Sequence, residues 1–297
     1  MSKTIENKYD FILLHDVKMG NPNGDPDAAN MPRIDIETNH GIITDVCTKS
    51  KIRNYVNTVK QNANGFKIYI QPNVPLERSD RSAFNYLGIE EKKIPDLKKS
   101  DDEFEKKILN FMCENFYDVR TFGAVMTTFT KNKLCGNITG PVQIGFGRSI
   151  DPVFPQEITI TRKTITTEKD ATQKNTEIGK KYIIPYGLYR TEGYVSANLA
   201  TYAQKKTGFN EEDLELFWEA LMNMYEHDHA AMRGNMAVRK LIIFKHKNAL
   251  GNAPAWKLFD AVKVVRKDPN QPARDFDDYE ITIDYSQIPE GVECIIK

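Results

Sequence analysis

The 297-residue chain is 40% hydrophobic and 10% aromatic, which excludes a disordered or fibrous protein and leaves room for one large folded domain or two small ones. Lys plus Arg and Asp plus Glu number 41 each, so net charge alone draws the chain to no polyanion. A polar segment from Met1 to Asp10, and the lack of any apolar run near the ~20 residues of a bilayer span, predict a cytoplasmic protein without a membrane partner.

Tyr9 to Val17 contains the unbroken run Phe11-Ile12-Leu13-Leu14, which predicts a central strand buried on both faces. Gly20-Asn21-Pro22-Asn23-Gly24-Asp25-Pro26 then forbids helix and central strand, and predicts an ordered loop reaching Arg33. The amides of Asn21 and Asn23 can cap the local backbone, while Gly20 and Gly24 allow the main chain to approach another surface closely. Thr44 or Asp45 is the expected N-cap of a helix with Ile52, Val56 and Val59 on its buried face. At about 100° per residue, Lys49, Arg53 and Lys60 fall within roughly 40° of one another and form a basic ridge, with Lys51 pointing elsewhere.

Phe66 to Ile70 predicts a short strand, followed by a polar, proline-punctuated insertion that turns helical near Phe104 to Phe116. Asn137 to Gly147 reads as a strand whose Gly140, Gly145 and Gly147 mark close backbone approach or a bulge. Ile158–Thr166 and Tyr182–Ile184 form the edges of a long hairpin around the polar Thr167–Lys181. Glu211 to Met232 is an amphipathic helix with Leu214, Phe217, Trp218, Leu221 and Tyr225 on its apolar side, and Val238 to Phe244 is the strand after it. Together these predict an α+β fold on a βαββαβ plan with long insertions.

Several chemistries are weak on this reading. Gly147-Arg148-Ser149 imitates the end of a phosphate-binding loop, but Val142 and Arg148 stand where the pattern needs Gly and Lys. Asp25, Asp27 and Asp35 lack the helix-flanked loop, central glycine and closing Glu of a calcium hand. Cys47, Cys113, Cys135 and Cys294 form no Cys-x-x-Cys pair, and read as reduced, packed thiols. His227 and His229 do not share a helical ligand face, and His15 beside Asp16 reads first as a core histidine and second as an acid–base candidate. Phe146 is the lone aromatic of Ile144-Gly145-Phe146-Gly147, too little for a two-strand base-stacking platform. No cofactor or metal is expected.

Charge is polarised although it sums to zero. Lys49, Lys51, Arg53, Lys60 and Lys67 face only Asp45 between Thr44 and Lys67, whereas Glu211 to Asp228 holds seven acids and no Lys or Arg. A basic face for a polyanion and an acidic face elsewhere suit a subunit that stacks on copies of itself.

The motifs Gly20-Asn21-Pro22-Asn23-Gly24-Asp25-Pro26, Asn30-Met31-Pro32-Arg33, Lys51-Ile52-Arg53-Asn54, Asp118-Val119-Arg120-Thr121-Phe122-Gly123, Thr139-Gly140-Pro141-Val142-Gln143 and Tyr186-Gly187-Leu188-Tyr189 follow one another in the order of a known family. The chain resembles the Cas-seven family of CRISPR proteins, most of all the type I-C backbone subunit of the Csd-two group. The resemblance implies an RRM-type, ferredoxin-like palm at about 1–70, 118–155 and 186–297, an inserted fingers subdomain at about 71–117 and a thumb hairpin at about 156–185. It implies a non-catalytic scaffold that polymerises head-to-tail along CRISPR RNA and supports pairing of the guide with target DNA, beside subunits of the Cas-five and Cas-eight families. Matched to this chain, the RNA-contacting set is Lys49 and Arg53 first, with Lys60, then Asn21, Asn23 and Arg33 of the opening loop. The backbone around Arg120, Thr121, Phe122 and Gly123, then Gly140, Gln143 and Arg148, and the thumb's Lys163, Lys180 and Lys181 complete it. Related subunits that cut RNA use a loop aspartate, for which Asp25 or Asp35 is the candidate.

Overall fold

A computed structural model describes residues 3–89, 102–125, 137–162, 177–201 and 207–297. Strand β1 (Tyr9–Gly20) lies at the centre of a mixed α/β architecture, antiparallel both to β10 (Glu177–Val195) and to β11 (Met236–His246). The sheet runs β14 (Val292–Ile296), β11, β1, β10, β8 (Gly147–Pro152), β4 (His40–Ile43), and β7 (Val142–Ile144) and β9 (Gln156–Arg162) pair with other stretches of β10.

Alternation along β1 explains its continuous hydrophobicity. Phe11, Leu13 and Val17 enter one core with helices α1 (Asp45–Lys60) and α6 (Glu211–Asn223), while Ile12 and Leu14 enter another beneath α7 (Ala255–Asp260) and the β12–β13 hairpin (Val262–Arg266, Tyr279–Ile283). Gly193 sits opposite Phe11 because a Cβ there would run into the Phe11 ring.

A second element of order is α4 (Tyr117–Phe122), a six-residue helix with every residue buried. It carries both charge signs inward. Asp118 accepts from Arg53 Nε of α1 at 2.9 Å and from the Tyr69 and Ile70 N–H groups at 2.8 and 3.1 Å. Arg120 makes a two-pronged pair with Asp213 of α6 at 2.8 and 2.7 Å and also donates to the carbonyls of Gly65 and Cys113. Asp213 closes the capping box of α6 with Asn210 as well, so one carboxylate serves helix start and ion pair together. A separate hydrophobic cluster, from Tyr69, Phe84, Ile108, Met112 and Phe116 to Ile138, packs around α2 (Leu76–Tyr86), α3 (Asp102–Asn115) and α4.

Several sequence expectations are revised. Phe66–Ile70 is no strand, since Asp118 takes the Tyr69 and Ile70 amides and only Lys67 bridges to Phe116. Asn137–Gly147 divides into β6 (Asn137–Thr139), β7 and the first residue of β8. The late helix ends at Asn223, not Met232, and turns follow in which Tyr225 and Asp228 point back to the core and to α1. Val59, expected on the buried face of α1, is 45% exposed. The hairpin edges are β9 and β10; Lys163 and the tip at 167–176 lie outside the described residues, as does Cys135.

His15 is fully buried on β1, with Nδ1 2.7 Å from the Tyr225 hydroxyl and Nε2 2.9 Å from Thr191 Oγ1. The Tyr225 ring lies nearly parallel to it, at an interplanar angle of 16°. Burial first, and the charge of Lys51 second, push its pKa down from 6.5 to about 3. The unfolded imidazole gains a proton below 6.5 and the folded one does not until about 3, so stability falls as pH drops through that window. In urea titrations between pH 6.5 and 4.5, His15→Gln should lose up to about 1.4 kcal/mol per pH unit of the wild-type slope. A slope unaltered by the substitution would show that His15 is not the group responsible. Arg120→Met should lower unfolding free energy by about 3–5 kcal/mol, because Asp213 is left as an unpaired buried charge. Adding Asp213→Asn, which keeps an acceptor for the cap, should recover part of that loss in the same titration.

Candidate nucleic-acid interface

The loop after β1 is ordered by its own asparagines and glycines. Asn21 N–H donates to the Met232 carbonyl at 2.7 Å and its Nδ2 to the Asn30 carbonyl at 2.7 Å. Asn23 Oδ1 accepts from both the N–H and the hydroxyl of Thr44, at 2.9 and 3.0 Å, which fastens the loop to the N-cap of α1. Gly24 and Asp25 pair with Pro32 and Met31 as β2 (Gly24–Asp25) and β3 (Met31–Pro32), and a Cβ at Gly24 would collide with the Asn30 side chain. The reversal between them uses left-handed backbone at Ala29 and Asn30, with φ of 50° and 63°. The rigid loop presents Arg33, whose Nη1 pairs with Asp25 at 3.2 Å.

A groove of about 650 Å³ opens where this loop, the first turns of α1, Phe146 just before β8 and segment 228–233 meet. Its charged lining is Arg33, Lys51 and Arg233 against Asp45 and Asp228. Asp228 is shared by Lys51 and by Arg233, the latter at 2.9 Å, so the cations outnumber their internal partners. Thr44 caps α1 by accepting from the Cys47 N–H at 3.3 Å, and the helix start therefore faces the same groove. Cys47 is half-buried, and burial pushes its thiol pKa up, which makes it a packed residue rather than a nucleophile.

The basic ridge expected on α1 has a different form. Lys49 pairs with Asp45 at 2.9 Å, Arg53 is buried against Asp118, and Lys60 lies 3.8 Å from Glu212 and over the Phe66 ring. Lys51, expected off the ridge, lines the groove but is buried and held by Asp228. Arg120, Thr121 and Phe122 are buried, and Gly123 and Gly140 are glycines because their backbones cross in contact, where any Cβ would collide. Gln143 is exposed, with Nε2 donating to the Gly140 carbonyl at 3.0 Å. Arg148 is 58% exposed and 3.6 Å from Asp35. On the hairpin, Lys180 is held by Glu157 at 2.8 Å, and Lys181 lies opposite Ile158. The arrangement brings together Asn23, Arg33 and the start of α1; it places Arg53 and Arg120 inside.

The acids are occupied locally. Asp25 accepts from the Asp27 N–H as well as from Arg33, and Asp35 accepts from the Thr38 hydroxyl and the Glu37 N–H, which hold its pKa below the usual carboxylate range. Among the described residues no three His, Cys, Asp or Glu side chains are grouped to hold a metal ion. His227 and His229 are exposed in the turns after α6. Reasoning from sequence missed Lys51, Arg233 and Phe146 as groove residues; the turn after α6 that delivers Arg233 carries no strong local breaker, and a helical wheel cannot show what α1 faces.

The family profile of CRISPR-associated protein Cas7 matches residues 7–284. A CRISPR-associated protein Cas7 of Haloferax volcanii is 28% identical over 242 residues, covering 74% of this chain, which spans 66% of that relative's length. A solved chain of a CRISPR RNA-guided surveillance complex, pre-nicking, superposes with a TM-score of 0.51 at 13% identity, covering 83% of this chain and 79% of the other. A second, from a CRISPR RNA-guided surveillance complex, gives a TM-score of 0.47 at 11% identity over 83% and 71%. By the extent of the profile match, the chain belongs to the Cas7 family of CRISPR-associated proteins.

Proposed function

We propose that this chain is a guide-RNA-binding backbone subunit of a CRISPR surveillance complex, of type I-C in the Csd-two group, which acts without catalysis. The observation that carries the reading is the groove of Arg33, Lys51 and Arg233 at the start of α1, built on a loop that the sequence makes rigid. A rigid cationic groove can hold successive phosphates while ignoring base identity, which suits a carrier of guides of differing sequence. Copies stacking head-to-tail along one RNA, beside Cas-five and Cas-eight subunits, and the presentation of the guide to target DNA belong to the same proposal. The polarised charge supports it.

The same reading assigns the parts. The order β11, β1, β10, β8 with α1 and α6 against one face supports an RRM-type palm. The separate cluster around α2, α3 and α4 supports a fingers unit, and β9 with the start of β10 supports a thumb.

Arg33→Ala with Arg233→Ala should weaken binding of a labelled guide RNA about tenfold at 0.1 M salt and flatten the log–log salt dependence by about 1.4. An unchanged slope would remove the groove from the RNA path. Guide paired with labelled target RNA, incubated with the protein with and without EDTA, should emerge protected and uncut. Defined cleavage that disappears in Asp35→Ala would replace the scaffold by a nuclease.

A further inference from the structure

Phe146 is 61% exposed, although it stands in a bulge between β7 and β8, where their shared pairing along β10 shifts by one residue. The residues beside it explain how it is held. Gly145 N–H donates to the Glu192 carbonyl at 2.8 Å, and a Cβ at Gly145 would stand 3.2 Å from that oxygen. A Cβ at Gly147 would come within 2.5 Å of Thr191 Oγ1. Both glycines therefore let the bulge lie flush on β10, and neither supplies a side chain that would cover the ring between them.

Phe146 also joins two surfaces. It lines the groove of Arg33, Lys51 and Arg233, and it lines a second groove of about 710 Å³ that carries Arg148, with Arg190 there paired to Glu192. A single-stranded polyanion passing from one to the other crosses the ring, with Arg33 and Arg233 on one side and the exposed Arg148 on the other to take its phosphates. Resting on the reading of the first groove as an RNA site, we propose that Phe146 is a stacking post that holds one base of single-stranded RNA as the strand passes between the grooves. A lone ring accepts any base, because every base has a π-face, so it fixes register along the strand without reading sequence.

The test uses the purified full chain with RNA carrying 2-aminopurine at successive positions. Phe146→Ala and Phe146→Leu should each weaken binding about 5- to 150-fold while leaving the salt slope unchanged, since stacking neutralises no phosphate. Phe146→Trp should keep wild-type affinity, and RNA should quench its emission. Thermal melts of each variant should match wild type, as the ring is exposed. Wild-type affinity in Phe146→Ala, with Arg33→Ala and Arg233→Ala still flattening the slope, would overturn the post and leave the groove standing. A Phe146→Ala protein that loses self-association at unchanged per-subunit affinity would make the ring a protein contact instead. A wild-type chain that binds no RNA would remove the reading of the groove, and the post with it.

Discussion

Burying a charge is tolerable only when an opposite charge is buried beside it with matching hydrogen bonds, and α4 imposes that condition twice within three residues. Asp118 fixes where Arg53 of α1 must be, and Arg120 fixes where Asp213 of α6 must be. Because Asp213 also starts α6, and Asp118 also collects the Tyr69 and Ile70 amides, the two helices, the chain before α2 and the second hydrophobic cluster are placed relative to one another by four side chains. Hydrophobic contact alone would let the clusters slide; ion pairs with fixed geometry do not.

The same constraint moves recognition away from the places a helical wheel suggests. Arg53 and Lys51 of α1 are consumed within the fold, by Asp118 and Asp228, and what remains outward at the groove is the rim formed by Arg33 and Arg233. The sheet is partly closed to ligands too. Its second face is covered by α7 and the β12–β13 hairpin through Ile12, Leu14, Leu258, Val262 and Tyr279, and stays open where Arg148, Arg190 and Tyr194 line the second groove. The proposed RNA path therefore runs from the start of α1 past Phe146 to that open stretch of β8 and β10.

Much of this was legible before any coordinates. The apolar run of β1, the N-cap at Thr44, the hairpin of β9 and β10 and the closing strand β11 all follow from local periodicity and turn chemistry. The loop from Gly20 to Arg33 shows its rigidity through Asn, Gly and Pro, and bonds of Asn21 and Asn23 with close contacts at Gly20 and Gly24 hold it. What escaped depends on distant partners. The 66–70 segment loses its strand to a carboxylate about fifty residues away, and Arg53 meets the same carboxylate. The strands β12 to β14 alternate exposed and half-buried positions in an acidic tail, a pattern too weak to separate from loop. Phe146 was visible as a lone aromatic, but only the two grooves meeting at it make its position informative.

Strand β10 runs for 19 residues without interruption. Glu177 to Ile183 pairs with β9, and from Ile184 the same strand pairs with β1 in the middle of the sheet. The arm is thus a cantilever about 23 Å long at the usual strand rise, built into the sheet with no joint on one of its two rails. Load applied toward its tip is carried as torque into the β1 ladder, along the same strand on which the bulge that holds Phe146 lies, so arm and groove share one mechanical frame.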